Sequence, residues 1–275
     1  MPSYAVVGGS RGIGLELVRQ LAANPDNVVF VTARNKAKST YLSALIAESS
    51  NRNVHVVEAD VVDARAMKTA AAEIAKMSGG ALDVLIHNAA RMEYANLFKA
   101  FDDYETDDQL DAEFIESFKV NALGVVHSVN AFLPLLRENT TKKIVIIGSG
   151  AGERSLMWNV RMHTMVAYGT SKAATNMVAT KYAAQLESEG FTVVSLSPGI
   201  VDVSGTAVSE FDDASKAELA RQLESFRKAM PDVDLTPITP EESVKTLLKI
   251  IGSLSVADTG SFISSFDPRF AQTST

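Results

Sequence analysis

Not one of the 275 residues is cysteine, which removes disulfides, thiolate nucleophiles and cysteine metal sites together and fits a reducing compartment. Histidine is scarce as well. His55, His87, His127 and His163 are scattered with no short-range pair of the metal-ligand type, so no metal is expected. No apolar run approaches the roughly 20 residues needed to span a bilayer; even Ile144-Val145-Ile146-Ile147 stops at Gly148. Positive charge is in deficit too. Lys and Arg number 26 against 33 Asp and Glu, a net charge of -7, so the footprint of a nucleic-acid binder is missing and an anionic membrane is disfavoured. Met1-Pro2-Ser3 runs directly into Tyr4-Ala5-Val6-Val7 without a charged n-region or a long apolar h-region, so the chain reads as cytoplasmic rather than secreted. What remains open is a small-molecule partner.

What is present is a hydrophobic content of 46% in a length that suits one sizeable core. Short β-branched runs at 5–7, 28–31, 54–57, 84–86, 144–147 and 193–196 read as buried strands, with a last one at 260–263. Between them lie stretches long enough for crossover helices: 12–23, 36–48, 63–76, 110–137 and 167–187, with 213–230 and 241–251 toward the end. This βαβ alternation predicts an α/β fold: a single domain built on a doubly wound, Rossmann-type parallel sheet of about seven strands with helices on both faces. The acidic stretch 102–111 reads as a solvated loop.

Directly after the first strand comes Val7-Gly8-Gly9-Ser10-Arg11-Gly12-Ile13-Gly14, and a helix begins there. Glycines permit a tight turn and the close approach of a diphosphate, while free amides and the helix dipole favour an anion. No Lys-Ser/Thr follows the last glycine, so a dinucleotide suits the turn better than a Walker-type ligand. Far along the chain, Tyr168 and Lys172 stand four residues apart in Tyr168-Gly169-Thr170-Ser171-Lys172, on one helix face. An ammonium beside a phenol favours the phenolate and lowers its pKa, which suits proton transfer to a carbonyl.

With these residues the chain resembles the short-chain dehydrogenase/reductase family, in particular its sniffer-like carbonyl reductases and fungal ketoreductases. Gly8, Gly12 and Gly14 match the family's Thr-Gly-x-x-x-Gly-x-Gly fingerprint, with Val7 in place of the threonine. Asp60, followed by Val61, matches the adenine-contacting aspartate. His87-Asn88-Ala89-Ala90 matches Asn-Asn-Ala-Gly, with His87 and Ala90 as departures, so Asn88 and Ala89 are expected to keep their cofactor contacts. Pro198, Gly199 and Val201 match Pro-Gly-x-Val-x-Thr, whose backbone binds the nicotinamide carboxamide. Val203 stands where threonine is usual, and Ser204 or Thr206 either replaces the lost hydroxyl or leaves it unreplaced.

The resemblance implies a catalytic set of Ser149, Tyr168, Lys172 and Asn121. Ser149 would bond the substrate oxygen, Tyr168 would protonate it, and Lys172 would lower the tyrosine pKa and bind the nicotinamide ribose. Asn121 would hold a relay water, although on its own a buried polar contact explains it equally well. Ser10, Arg11 and Ile13 complete the diphosphate turn. After the second strand the chain reads Phe30-Val31-Thr32-Ala33-Arg34, without the carboxylate that an NAD enzyme offers the ribose; Arg34 and Arg11 suit a 2′-phosphate, so NADP(H) is expected.

The implied activity is reversible hydride transfer, reducing a ketone or aldehyde. Oxidation of an alcohol uses the same groups, and a non-catalytic NADP sensor is the alternative from another class. The interval from Ser149 to Tyr168 is longer than usual in the family, so 153–164 reads as an insertion. Its Met157, Trp158 and Met162, with Met165, Met92 and Tyr94, form either an apolar wall for a hydrophobic or aromatic substrate or a packed loop or subunit contact. Residues 203–240, with a helix over 209–230, are expected to form a substrate lid. By the same likeness the chain is expected to form a homodimer or homotetramer.

Overall fold

The computed structural model describes residues 1–207, 211–264 and 267. Its centre is a seven-stranded, wholly parallel sheet made of β1 (Ser3–Val7), β2 (Val28–Ala33), β3 (Val54–Glu58), β4 (Val84–His87), β5 (Lys143–Ile147), β6 (Thr192–Leu196) and β7 (Phe262–Ile263), in the order β3-β2-β1-β4-β5-β6-β7. The helices are α1 (Gly12–Ala22), α2 (Thr40–Glu48), α3 (Ala64–Ser78), α4 (Asp107–Phe118), α5 (Gly124–Arg137), α6 (Arg154–Asn159), α7 (Val166–Leu186), α8 (Asp213–Ala229) and α9 (Pro240–Ser253). None of the described helices is long and apolar enough to cross a membrane.

The strands are hydrophobic on both faces because both are covered. Alternate residues of one strand serve different layers: Ala5 and Val7 pack with Leu85, Ile144 and Val193 against α3, α5 and α7, whereas Val6 packs with Val31, Ile86, Val145 and Val194 against α1 and α9. Fully buried side chains such as Phe132 and Leu136 on one face, and Leu17 and Leu247 on the other, each contribute about 1.5–3 kcal/mol of burial.

Several expected boundaries move. The second helix starts at Thr40 rather than Lys36, because the Asn35 side chain accepts the Lys38 amide and turns the chain first. The acidic stretch is only partly loop. Thr106 accepts the Gln109 amide as an N-cap, and Asp107 and Asp108 form the first turn of α4, where carboxylates suit the helix dipole. The helix expected over 110–137 is interrupted by a π-helical turn, Lys119–Leu123, which separates α4 from α5. The insertion 153–164 holds the short α6. The lid helix runs over 213–229, and Ser209, where it was expected to begin, lies outside the described residues.

Candidate active site

The connections from β1 and β4 leave the sheet in opposite directions, and the crevice this opens at the carboxyl ends of the strands is where ligands of such sheets bind. A cleft of about 800 Å3 occupies that place. Its floor is the glycine turn. Gly8 has φ +84, and a Cβ there would stand 2.7 Å from the Ala89 Cα; at Gly14 it would stand 2.1 Å from the Gly8 carbonyl oxygen. Only glycine lets these segments meet. Asn88 fastens them by donating from Nδ2 to the Gly8 carbonyl at 2.9 Å. The Thr32 hydroxyl accepts from the Gly8 amide at 3.3 Å, a turn contact supplied by the neighbouring strand where Val7 has none to give.

The N-cap residue of α1, Arg11, makes no side-chain bond to the helix, and the first amides of α1 belong to Gly12 and Ile13, which line the cleft. One of them, Gly12 N–H, donates to the Thr206 hydroxyl at 2.8 Å. Thr206 thus supplies a hydroxyl beside the turn, while Val203 packs its methyl against Gly12. Gly8, Ser10, Arg11, Gly12, Ile13, Arg34, Asp60, Val61, Asn88, Ala89 and Pro198 line the cleft at this end and along its length. Gly14 lies beneath it. Gly199 turns the chain with φ +90, and Val201 is held in an isolated parallel bridge to Ile238 instead of forming a wall.

At the other end stand Tyr168 and Lys172, both on α7 and both lining the cleft with Ile147 and Gly148. Lys172 is 3% exposed, donates from Nζ to the Ile147 carbonyl at 2.9 Å, and is pushed by burial down to about 8. Its Nζ lies 5.9 Å from the centre of the Tyr168 ring. The expectation that Lys172 draws the tyrosine pKa down is not met: burial raises the phenol, and the opposing pull comes from a hydrogen bond with Ser149. Tyr168 therefore holds its proton through the neutral range.

Asn121 sits in the π turn and is 1% exposed. Its side chain is fully engaged. Oδ1 accepts the Arg91 amide at 2.7 Å, and Nδ2 donates to the Arg91 carbonyl at 3.0 Å and to the Ser171 hydroxyl at 2.9 Å. Ser171 in turn donates to the Tyr168 carbonyl at 2.7 Å, and Thr175 donates to the Asn121 carbonyl at 2.6 Å. Asn121 therefore ties the loop after β4 to the helix of Tyr168. The His87 departure is absorbed by the core: its ring is 1% exposed, Nδ1 meets the Ser128 hydroxyl at 3.0 Å, and burial with the nearby Lys172 charge lowers its pKa to about 3.

Of the residues proposed for an apolar wall, Met92 and Tyr94 line the cleft, while Met157, Trp158, Met162 and Met165 do not. Trp158 is 71% exposed and carries the Arg161 guanidinium over its ring at 4.0 Å. Arg91, Glu113, Ser171 and Thr175 went unnoticed in the sequence. No motif marks them, and the contacts that draw Arg91, Ser171 and Thr175 to Asn121, and Glu113 to Arg91, join residues far apart in the chain.

Comparison with known proteins puts this fold among the oxidoreductases. The short chain dehydrogenase family model matches residues 3–215. Short-chain dehydrogenase/reductase AacuF of Aspergillus aculeatus is 36% identical over 96% of this chain and 97% of its own, and short-chain dehydrogenase/reductase atnB of Arthrinium sp is 38% identical over 94% and 96%. Among solved structures, NADPH-bound carbonyl reductase from chicken fatty liver matches with a TM-score of 0.75 at 26% identity, covering 96% of this chain and 91% of that one. The carbonyl reductase Sniffer of D. melanogaster shares the fold, with a TM-score of 0.74 at 23% identity over 96% of both chains. The chain belongs to the short-chain dehydrogenase/reductase family.

Proposed function

We propose that this enzyme reduces a ketone or aldehyde to an alcohol with NADPH. The observation that carries the reading is a single cleft with Tyr168 and Lys172 at one end and Arg11 and Arg34 at the other. The residues fit a dinucleotide: Gly8 and Gly14 let the turn pack tightly against the loop after β4, and the start of α1, whose N-cap Arg11 gives no side-chain bond, offers amides to a diphosphate. Ala33 ends β2 where a carboxylate would repel a 2′-phosphate, and the presence of Arg11 and Arg34 among the cleft-lining residues supports binding of one. The NADPH-bound carbonyl reductase named above supports the same choice.

When bound, the cofactor supplies a hydride to the carbonyl carbon. Tyr168 gives its hydroxyl proton to the carbonyl oxygen as that oxygen gains charge, and its raised pKa keeps it in the acid form for the task. Ser149 hydrogen-bonds the same oxygen. Lys172, charged below about 8, offers donors to the ribose. Alcohol oxidation runs the same transfers in reverse. Met92, Tyr94, Val203 and Ala207 give the cleft an apolar side, which favours a hydrophobic or aromatic substrate. By family likeness the working form is a cytoplasmic homodimer or homotetramer.

The test follows NADPH absorbance with aromatic and aliphatic ketones. Tyr168→Phe is expected to lose about 10²- to 10⁴-fold in kcat/KM while NADPH affinity stays within about twofold. Full turnover by Tyr168→Phe would remove the acid assignment. Tight NADPH binding by the native chain with no turnover of any ketone or alcohol would favour a sensor instead.

A further inference from the structure

Residues 91–96 form the short loop that carries Met92 and Tyr94 into the cleft, and a second cavity of about 430 Å3 lies behind it. Arg91 lines both spaces, so at that point the loop is a partition with little packed behind it. Arg91 pairs with Glu93 inside the loop through Nη1 at 2.8 Å, and one carboxylate outside it joins its two ends. Glu113 of α4, 7% exposed, accepts on Oε2 from Arg91 Nη2 at 2.7 Å and from Asn96 Nδ2 at 3.0 Å, so both ends of the loop converge on the same oxygen. Its Oε1 accepts from the Ser117 hydroxyl at 3.3 Å. The Arg91 main chain is gripped separately by Asn121. Between the two fixed ends Tyr94 lines the same cleft as Tyr168 and stacks on Phe211 before the lid helix at 4.3 Å between ring centres.

We propose that Glu113 is a positioning residue for substrate recognition: by tying Arg91 and Asn96 together it fixes where Met92 and Tyr94 stand against the substrate. Glu113 lines the rear cavity and not the cleft, so it acts through the loop and touches neither substrate nor cofactor. A buried carboxylate with a guanidinium and an amide on one oxygen is a stiff anchor, because releasing either donor leaves a buried charge poorly satisfied. The cofactor contacts of Asn88 and Ala89 are anchored to β1 independently, since both amides donate to the Val7 carbonyl. Loss of the clamp should therefore weaken substrate and spare the cofactor.

The assignment of a substrate role rests on the proposed carbonyl reduction. Glu113→Gln and Asn96→Ala are the variants, the second keeping the buried ion pair should the first fail to fold. Both are expected to raise the ketone KM by about tenfold, with NADPH affinity within about twofold and with faster amide hydrogen exchange confined to 92–96. Tyr94→Leu combined with Glu113→Gln should be no worse in ketone KM than the poorer single variant, because both act through one wall. Independent, additive losses would overturn the proposal, as would NADPH affinity falling in step with ketone KM, or unchanged exchange over 92–96. If the native chain turns over no ketone, the reduction reading fails, and the exchange measurement alone still decides whether Glu113 holds the loop.

Discussion

Lys172 keeps an ammonium where charge is costly to hold. Burial lowers it from 10.5 to about 8, so between those values the unfolded chain binds more protons than the folded one, and stability rises with pH across that window. Below about 8 the penalty is present in full. Lys172→Met is therefore expected to stabilise the fold at pH 7 by on the order of 1–3 kcal/mol, with the gain shrinking as pH climbs from 8 toward 10.5, while catalysis collapses. Urea melts at pH 7 and pH 10 test this, and a less stable variant at pH 7 would contradict it. The native enzyme should also lose reductive kcat/KM as pH rises through about 8, because Lys172 discharges while the raised Tyr168 remains protonated. At the far end of the cleft, Arg34→Ala should weaken NADPH about 10- to 100-fold and leave NADH within about twofold, from the value of charge-assisted bonds. Equal losses for both cofactors in a fluorescence titration would remove the 2′-phosphate assignment.

At the scale of elements, α9 begins with a reciprocal cap: Thr239 accepts the Glu242 amide at 3.2 Å, and Glu242 accepts from the Thr239 amide at 2.9 Å, with Pro240 in the first turn. Thr239→Ala should cost about 1 kcal/mol in denaturant unfolding without changing turnover, since the cap lies outside the cleft. Much of the architecture could be read from sequence because its signals are local. β-branched runs such as Val28 to Val31 can only be buried in a covered sheet, and Gly8, Gly12 and Gly14 stand at fixed offsets behind a strand. The π turn had no such signal. Its residues, Lys119–Leu123, carry no breaker, and what favours it is distant: Arg91, Ser171 and Thr175 all bond Asn121. The insertion was legible as extra length but not in its direction, because whether Trp158 faces the cleft or solvent depends on packing that no local pattern encodes. The same limit hid Glu113, whose spacing looks like that of any solvated helix carboxylate.

The whole molecule puts both ligand ends of the cleft at one edge of the sheet, and leaves Ile115, Phe118 and Leu123 on α4 and the π turn exposed, with Met177 on α7. Such a patch fits the proposed self-association. Light scattering should give at least twice the 29.5 kDa chain mass, and Phe118→Glu should lower it; a monomer at micromolar concentration would refute the oligomer. The buried stripe Glu113, Ser117, Asn121, Val125 and Val129 joins that helical pair to the core in steps of four. In an uninterrupted α-helix each such step advances about 40° around the axis, so four steps would swing the stripe through about 160°. The wider π turn takes up part of that swing, and Glu113, Asn121 and the two valines are all buried along it. A consequence follows for sequence length. Loss or gain of a single residue between Glu113 and Val125 would rotate one half against the other, so this helical pair should tolerate substitution at exposed positions outside the apolar patch yet refuse insertions and deletions.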